Sequence, residues 1–248
     1  MSSSRHKVIV VMPAYNAART LRETYEAVPK DEVDEIILVD DASHDATLRR
    51  AQKLDLLAIR HPHNLGYGGN QKTCYTEALR RGADIVIMLH PDGQYDPHLI
   101  PQILQPIVQA RADVVLGSRM LDKRSARAGG MPLYKFVANI VLTTVENWVF
   151  GLRLAEYHSG YRAFSRAFLE GVPFMRNADD FVFDQEILAQ AVWFKFRVAE
   201  VPITTRYFKE ASSISLRGSL VYGLKTLRLL GRFLLHRWRL VPSRLFQP

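Results

Sequence analysis

Continuous apolar, β-branched runs punctuate the first half of the chain: KVIVVMP (7–13), EIILVD (35–40), LLAIR (56–60), DIVIML (84–89) and DVVLG (113–117). Unbroken runs of this length are the pattern of strands buried on both faces of a parallel sheet. Between them apolar residues recur at helical spacing, as in Leu21, Tyr25 and Val28, then Cys74, Ala78 and Leu79, then Ile100, Ile103, Leu104 and Ile107. Strand–helix alternation through residue 118 predicts an α/β fold with a central, doubly wound, mostly parallel sheet flanked by helices. Such sheets bind ligands beyond the carboxyl ends of their strands. The polar turns at 13–16, 40–43, 90–94 and 117–119 are therefore where chemistry is expected.

Beyond residue 120 the pattern loosens into a polar loop over 122–130, an apolar stretch over 136–152, the segment SGYRAF, a helix over 180–193 and a strand over 196–203. This half reads as acceptor architecture. Asn139, Glu146 and Asn147 interrupt the apolar stretch, so it falls short of the roughly 18 uninterrupted apolar residues of a membrane span. A chain of 248 residues, 48% hydrophobic, suits one substantial core, read as a domain over 1–210 with an extension over 211–248.

Charge changes the picture only in that extension. It holds Arg217, Lys225, Arg228, Arg232, Arg237, Arg239 and Arg244 without an acidic residue, against a net charge of +8 for the whole chain. Leu220, Leu224, Leu227, Leu230, Leu234 and Leu235 recur there at helical spacing, with Trp238 and Phe246 beyond. A basic amphipathic helix of this kind suits a membrane surface; packing on the core or on a partner subunit is the alternative, and homo-oligomerisation stays open. No nucleic-acid-binding pattern accompanies the charge, so no nucleic-acid partner is expected. The lone Cys74 and an N-terminus without signal-peptide character lead us to expect a cytoplasmic protein, peripheral on the inner face of the membrane.

PAYNAARTL, ILVDDASHDAT, NLGYGGNQ, PDGQYDP, VLGSR, SGYRAFSR and FVFDQEI, in this order and spacing, resemble an inverting family-2 glycosyltransferase of the GT-A (Rossmann-like) fold, in the dolichyl-phosphate mannose and glucose synthase-like branch. The resemblance covers roughly residues 7 to 210, and it is the ordered set rather than any one motif that is specific.

Asp40 and Asp41 end the second predicted strand, where adjacent carboxylates need a ligand or donors to offset their repulsion. Ser43 reads as the cap of a helix opening at Asp45. The resemblance implies that Pro13, Ala14, Tyr15, Asn16, Asp40 and Asp41 hold the base and ribose of a nucleotide. NLGYGGN sets glycines before a helix without the spacing of a P-loop; by resemblance it flanks the donor, with Gln71 or Lys72 pointing to it.

LHPDGQYDP is the strongest chemical site. A departing nucleoside diphosphate needs its charge neutralised, which a hard divalent cation (Mn or Mg) held by carboxylates and phosphate oxygens does as a Lewis acid. Relatives place D-x-D-x-Q here, whereas this chain has His90, Pro91, Asp92, Gly93 and Gln94. Asp92 and Gln94 remain as ligands; His90 suits a softer ion such as manganese, a hydrogen bond to the donor, or a structural role. Arg119, Arg162, Arg206 and Lys209 offer cations for the diphosphate.

In FVFDQEI, Asp184 and Glu186 fall on different faces of a helix, so at most one touches the sugar. A hydroxyl acceptor needs a general base. A lipid phosphate does not, and Glu186 then serves the sugar or the metal environment. Asp92, Asp184 and Glu186 are thus the candidate catalytic residues. The expected activity is inverting transfer of a hexose from a UDP- or GDP-sugar to a polyprenyl-phosphate or other lipid-linked acceptor. A soluble enzyme acting on a hydroxyl acceptor and a nucleotide-sugar-binding protein with impaired catalysis are the alternatives.

Overall fold

The computed structural model describes residues 5–123, 126, 130–205 and 216–247. At its centre the apolar runs become β1 (Val8–Ala14), β2 (Glu35–Asp40), β3 (Leu57–Arg60), β4 (Ile85–Met88) and β5 (Val114–Ser118), joined by β6 (Arg162–Ser165) and β7 (Val198–Pro202). The order across the sheet is β3-β2-β1-β4-β6-β5-β7. Strands β3, β2, β1 and β4 pair in parallel, as do β5 and β7. Strand β6 is antiparallel to both neighbours, setting Met88 opposite Arg162 and Val114 opposite Phe164. Because β6 runs backwards, the residues just ahead of it arrive at the edge where the other strands end.

Two-sided burial holds where a strand is central: β1 and β4 are buried throughout. It does not hold for β3, which is half-buried with Arg60 exposed, because an edge strand has a neighbour on one side only.

Helices α1 (Leu21–Glu26), α2 (Thr47–Lys53), α3 (Gly66–Arg80), α4 (Ile100–Val108), α5 (Leu133–Phe150), α6 (Arg166–Gly171), α7 (Phe183–Trp193) and α8 (Leu216–Arg237) complete the described fold. The period-two alternation of β1 feeds a separate core on each face of the sheet. Ile9 and Val11 join Tyr75 of α3, Phe168 of α6 and Phe183 and Ile187 of α7. Val8, Val10 and Met12 join Leu21 of α1, Ala51 of α2 and Ile100 and Ile103 of α4.

The C-terminal helix divides its leucines. Leu229, Leu230 and Phe233 join the first core, along with Leu245 and Phe246, whereas Leu220 and Leu224 are exposed. Among the described residues no helix is long and apolar enough to cross a membrane.

Candidate active site

The loops after β1 and β2 are laced into one wall. The Asn16 amide donates to Ser43 Oγ at 2.9 Å and Asn16 Oδ1 accepts from the His44 amide at 2.9 Å. Asn16 and Ala42 sit at φ of +53° and +57°, a left-handed conformation that costs a non-glycine residue and gathers at functional sites. Ser43 is thereby spent on the β1 loop, and Asp45, not Ser43, accepts from the Thr47 amide that opens α2. Tyr15 stands half exposed beyond Pro13 and Ala14, which are buried at the end of β1.

Asp40 and Asp41 relieve their repulsion by turning to different partners. Asp41 Oδ1 accepts from the Leu65 amide at 2.8 Å and contacts His61 Nδ1 at 2.7 Å, while its Oδ2 accepts from the Gly66 amide at 3.0 Å. This carboxylate is consumed in holding the glycine loop. Asp40 is fully buried; Oδ2 meets the Ser43 amide at 3.3 Å, and Oδ1 has no hydrogen-bond partner in the protein. A buried acceptor left over at a strand end is costly unless a donor arrives.

The glycines expected ahead of a helix instead form the first turn of α3 and meet protein rather than forming a cradle. Gly66 adopts φ +85°, the Gly68 amide donates to Asp179 O at 2.8 Å, and a Cβ on Gly68 would stand 2.3 Å from Ala178 O. Gln71, expected to point to the donor, is fully buried: its Nε2 donates to Asp184 Oδ1 at 3.1 Å and its Oε1 accepts from Tyr75 Oη at 2.6 Å. Lys72 is likewise spent, binding Asp179 Oδ1 at 2.6 Å. What the loop delivers instead is Tyr67, whose hydroxyl donates to Asp184 Oδ2 at 2.7 Å and faces His90 Nε2 at 3.2 Å.

Tyr67, His90, Asp92, Gln94, Arg119 and Asp184 share a cavity of about 220 Å³ that is also lined by residues of α5 and α8. Burial pushes the Asp92 carboxyl up and the His90 imidazole down, so His90 is neutral at physiological pH. The ring stacks on Tyr67 with centroids 5.4 Å apart. Gly160 allows this, since a Cβ there would lie 2.9 Å from His90 Nε2 and 3.3 Å from Tyr67 Oη. Among the described residues no group of three or more His, Cys, Asp or Glu side chains is arranged to hold a metal.

The expected cations have distinct fates. Arg119 reaches the cavity while tethered to the fully buried Glu156, which also accepts from the Arg119 amide at 2.7 Å and from Asn139 Nδ2 at 2.8 Å. Arg162, expected to meet the donor, is fully buried and saturated by backbone oxygens: Ser159 O at 2.7 Å, Asp184 O at 2.7 Å and Tyr157 O at 2.9 Å. It ties the approach to β6 to the start of α7 and is not among the cavity's lining residues. Arg206 and Lys209 lie outside the described residues.

The two carboxylates of α7 separate as their spacing demands. Asp184 faces the cavity. Glu186, expected to serve the sugar or the metal environment, points away from it, accepting from the Ala178 amide at 2.6 Å with Arg232 of α8 at 3.8 Å, and is not among the cavity's lining residues. Motif reading also missed Tyr67, Lys135, Glu156, His158 and Tyr222. Tyr67 lies inside NLGYGGNQ, where the glycines are the stronger local signal; Glu156 and His158 stand just ahead of SGYRAF, where only the reversed strand shows that they reach the edge.

A sheet of this topology, with an acidic turn after β4 and polar loops after β1, β2 and β5, is that of the GT-A fold. The chain belongs to glycosyl transferase family 2, whose family model matches residues 9–172. It is 30% identical to UDP-N-acetylglucosamine–dolichyl-phosphate N-acetylglucosaminyltransferase of Methanococcus voltae, over 81% of this chain and 86% of that protein. It is 27% identical to polyprenol monophosphomannose synthase of Mycolicibacterium smegmatis, over 80% and 77% respectively. Among solved structures, glucosyl-3-phosphoglycerate synthase from Mycobacterium tuberculosis, in complex with Mn2+, UDP-glucose and glycerol 3-phosphate, shares the fold at 19% identity. Its TM-score is 0.70, and the match covers 96% of this chain and 82% of that one.

Proposed function

We propose that the protein transfers a hexose, with inversion, from a UDP- or GDP-sugar to a polyprenyl phosphate or another lipid-linked acceptor. The observation that carries this reading is the composition of the cavity. Asp92 and Asp184, the cationic Arg119 and Lys135 with His158, and the apolar Met131, Ala138 and Leu142 all line it. An acceptor with an anionic head and a hydrocarbon tail matches that combination of surfaces. The relatives named for dolichyl-phosphate and polyprenol substrates support it.

In this reading Asp40 Oδ1 receives an N–H or O–H of the nucleoside, supplying the donor that the buried oxygen lacks, and Tyr15 covers the base. Asp92 and Gln94 fit a hard divalent cation: a carboxylate in need of a counter-charge and an amide oxygen leave most of the coordination shell to phosphate and water. When bound, Mn or Mg would withdraw charge from the departing diphosphate as a Lewis acid. His90, neutral and held by Tyr67, orients that hydroxyl rather than completing a carboxylate site. The acceptor phosphate is already an anion, so no base need take its proton; Arg119 and Lys135 hold it for attack on the anomeric carbon from the face opposite the leaving group.

The test is incubation with labelled UDP- and GDP-hexoses and a polyprenyl phosphate, with Mn, Mg or chelator. Label is expected in an organic-phase polyprenyl monophosphohexose of inverted anomeric configuration. Label appearing only on water-soluble hydroxyl acceptors would overturn the acceptor, and undiminished transfer after exhaustive chelation would overturn the cation.

A further inference from the structure

Helix α5 buries a carboxylate that the donor site leaves unused. Glu146 is fully buried, and among the described residues neither of its oxygens has an aligned hydrogen-bond partner. The contact it makes is with His158, whose Nε2 stands 3.2 Å from Glu146 Oε2. A buried carboxylate is costly unless a proton is shared with it. A carboxylate only accepts, so the ring proton belongs on Nε2 and Nδ1 is bare. The surroundings of Nδ1 agree: Tyr222 Oη of α8 lies 2.9 Å from it and Gln185 Nε2 of α7 lies 3.0 Å from it. Gln185 Nε2 donates to Tyr157 O at 3.1 Å and to Tyr222 Oη at 2.6 Å, which leaves the Tyr222 hydroxyl proton for Nδ1.

The chain therefore runs one way, from the Tyr222 hydroxyl through the His158 imidazole to the Glu146 carboxylate, the arrangement by which an imidazole oriented by a carboxylate takes a proton from a hydroxyl. His158 and Tyr222 both line the cavity, as do Arg119 and Lys135. With one hydrogen bond received from Gln185, Tyr222 Oη can accept another from an O–H in the cavity. Other charges stand close to the chain. Arg119, beyond β5, donates to His158 O at 3.1 Å and pairs with Glu156, which feels the His158 charge. Arg162 of β6 and Asp184 of α7 act on Tyr222 with opposite signs.

We propose that Tyr222, His158 and Glu146 form a proton relay that takes the remaining proton from a phosphate monoester acceptor, so that its monoanion serves as nucleophile as well as its dianion. This rests on the lipid-phosphate reading and deepens it. The dianion attacks unaided, but the second pKa of a phosphate monoester is about 6, so near neutral pH a share of the acceptor still carries a P–OH. In the relay the P–OH proton passes to Tyr222 Oη as the Tyr222 proton passes to His158 Nδ1. The freed phosphate oxygen forms the bond to the anomeric carbon while the bond to the diphosphate breaks, its electron pair leaving with the diphosphate. The imidazolium so formed is held by Glu146.

The test compares kcat with a polyprenyl phosphate at pH 8 and pH 5 for wild type, His158→Asn and Tyr222→Phe. At pH 5 only about one tenth of the acceptor is dianion, so the loss caused by either variant is expected to be at least about tenfold greater at pH 5 than at pH 8. An inactive fraction in a preparation lowers both rates alike and cancels from that ratio. A polyprenyl difluoromethylenephosphonate, whose second pKa is lower, is expected to return the variants' pH 5 deficit toward the pH 8 value, which acid instability would not allow. Nitrogen-15 spectra of wild type at pH 8 are expected to show His158 protonated at Nε2 and bare at Nδ1. Equal losses at the two pH values, no recovery with the phosphonate, or a proton on Nδ1 overturns the relay. Absence of wild-type transfer to any polyprenyl phosphate, with the Nε2–H form present, would instead sink the acceptor reading and leave the wiring of the three side chains standing.

Discussion

Replacing Asp184 by Asn and, separately, Glu186 by Gln removes one charge from each of two carboxylates two residues apart on α7, with opposite expected outcomes. Asp184 accepts from Tyr67 Oη at 2.7 Å and Gln71 Nε2 at 3.1 Å, with the buried Arg162 guanidinium at 3.8 Å. Hydrogen bonds to a charged group contribute about 1.5–3 kcal/mol each, and an amide keeps one acceptor while pointing an N–H at the other donor. Arg162 retains its three carbonyl partners, so the damage falls on Tyr67 and Gln71 and, through Tyr67, on His90. We therefore expect about 2 kcal/mol of lost site organisation, or about thirtyfold in kcat at 1.4 kcal/mol per decade, with donor affinity little changed.

Glu186 is the reverse case. Burial pushes its carboxyl up, with the Ala178 amide and Arg232 offsetting only part. A carboxyl whose folded pKa lies above its unfolded value adds most stability below the unfolded value and loses it as pH rises through the folded one. Glu186→Gln keeps an acceptor for the Ala178 amide and removes the buried charge. It should leave kcat within about threefold and hold or raise stability by up to about 1 kcal/mol at pH 7, a gain that fades as pH falls toward 4.5. Urea unfolding with steady-state kinetics on both variants decides the matter. Loss of several orders of magnitude in Glu186→Gln with donor binding intact, beside a near-normal Asp184→Asn, would refute the placement of these two side chains.

Three further outcomes are expected. Gly160→Ala sets a methyl 2.9 Å from His90 Nε2 and should cost about 1–3 kcal/mol in stability from overpacking, seen in thermal melts, together with a fall in kcat that Tyr67→Phe does not rescue. Asp40→Asn should weaken nucleotide-sugar binding by about tenfold or more in calorimetry, since the buried oxygen awaiting a donor loses its charge; equal affinity would remove Asp40 from the site. Glu156 is held below the usual carboxylate range by Arg119, against the opposing effect of its burial. It contributes stability above its unfolded pKa that is lost as pH falls through the folded one, so Glu156→Gln should cost about 3–5 kcal/mol at pH 7 and progressively less in acid.

Much of the framework was written locally. A parallel strand buried on both faces must be a continuous apolar run, so β1, β2, β4 and β5 and the turns at their carboxyl ends could be located before any coordinates. The acidic turn at Asp92 and Gln94 was legible for the same reason, as a polar break at the end of a buried strand. Tertiary structure decided what no local pattern encodes. Strand β6 is four residues long and begins with a buried arginine, so nothing in its sequence announces a strand, yet its reversed direction carries His158 and Gly160 to the cavity. Adjacent carboxylates look alike in sequence, but only packing shows that Asp41 is spent on Leu65 and Gly66 while Asp40 keeps a free oxygen. Helix α5 is apolar around most of its circumference, so its sequence does not say which side faces inward; the burial of Glu146 against the fold turns Val137, Val141 and Trp148 outward.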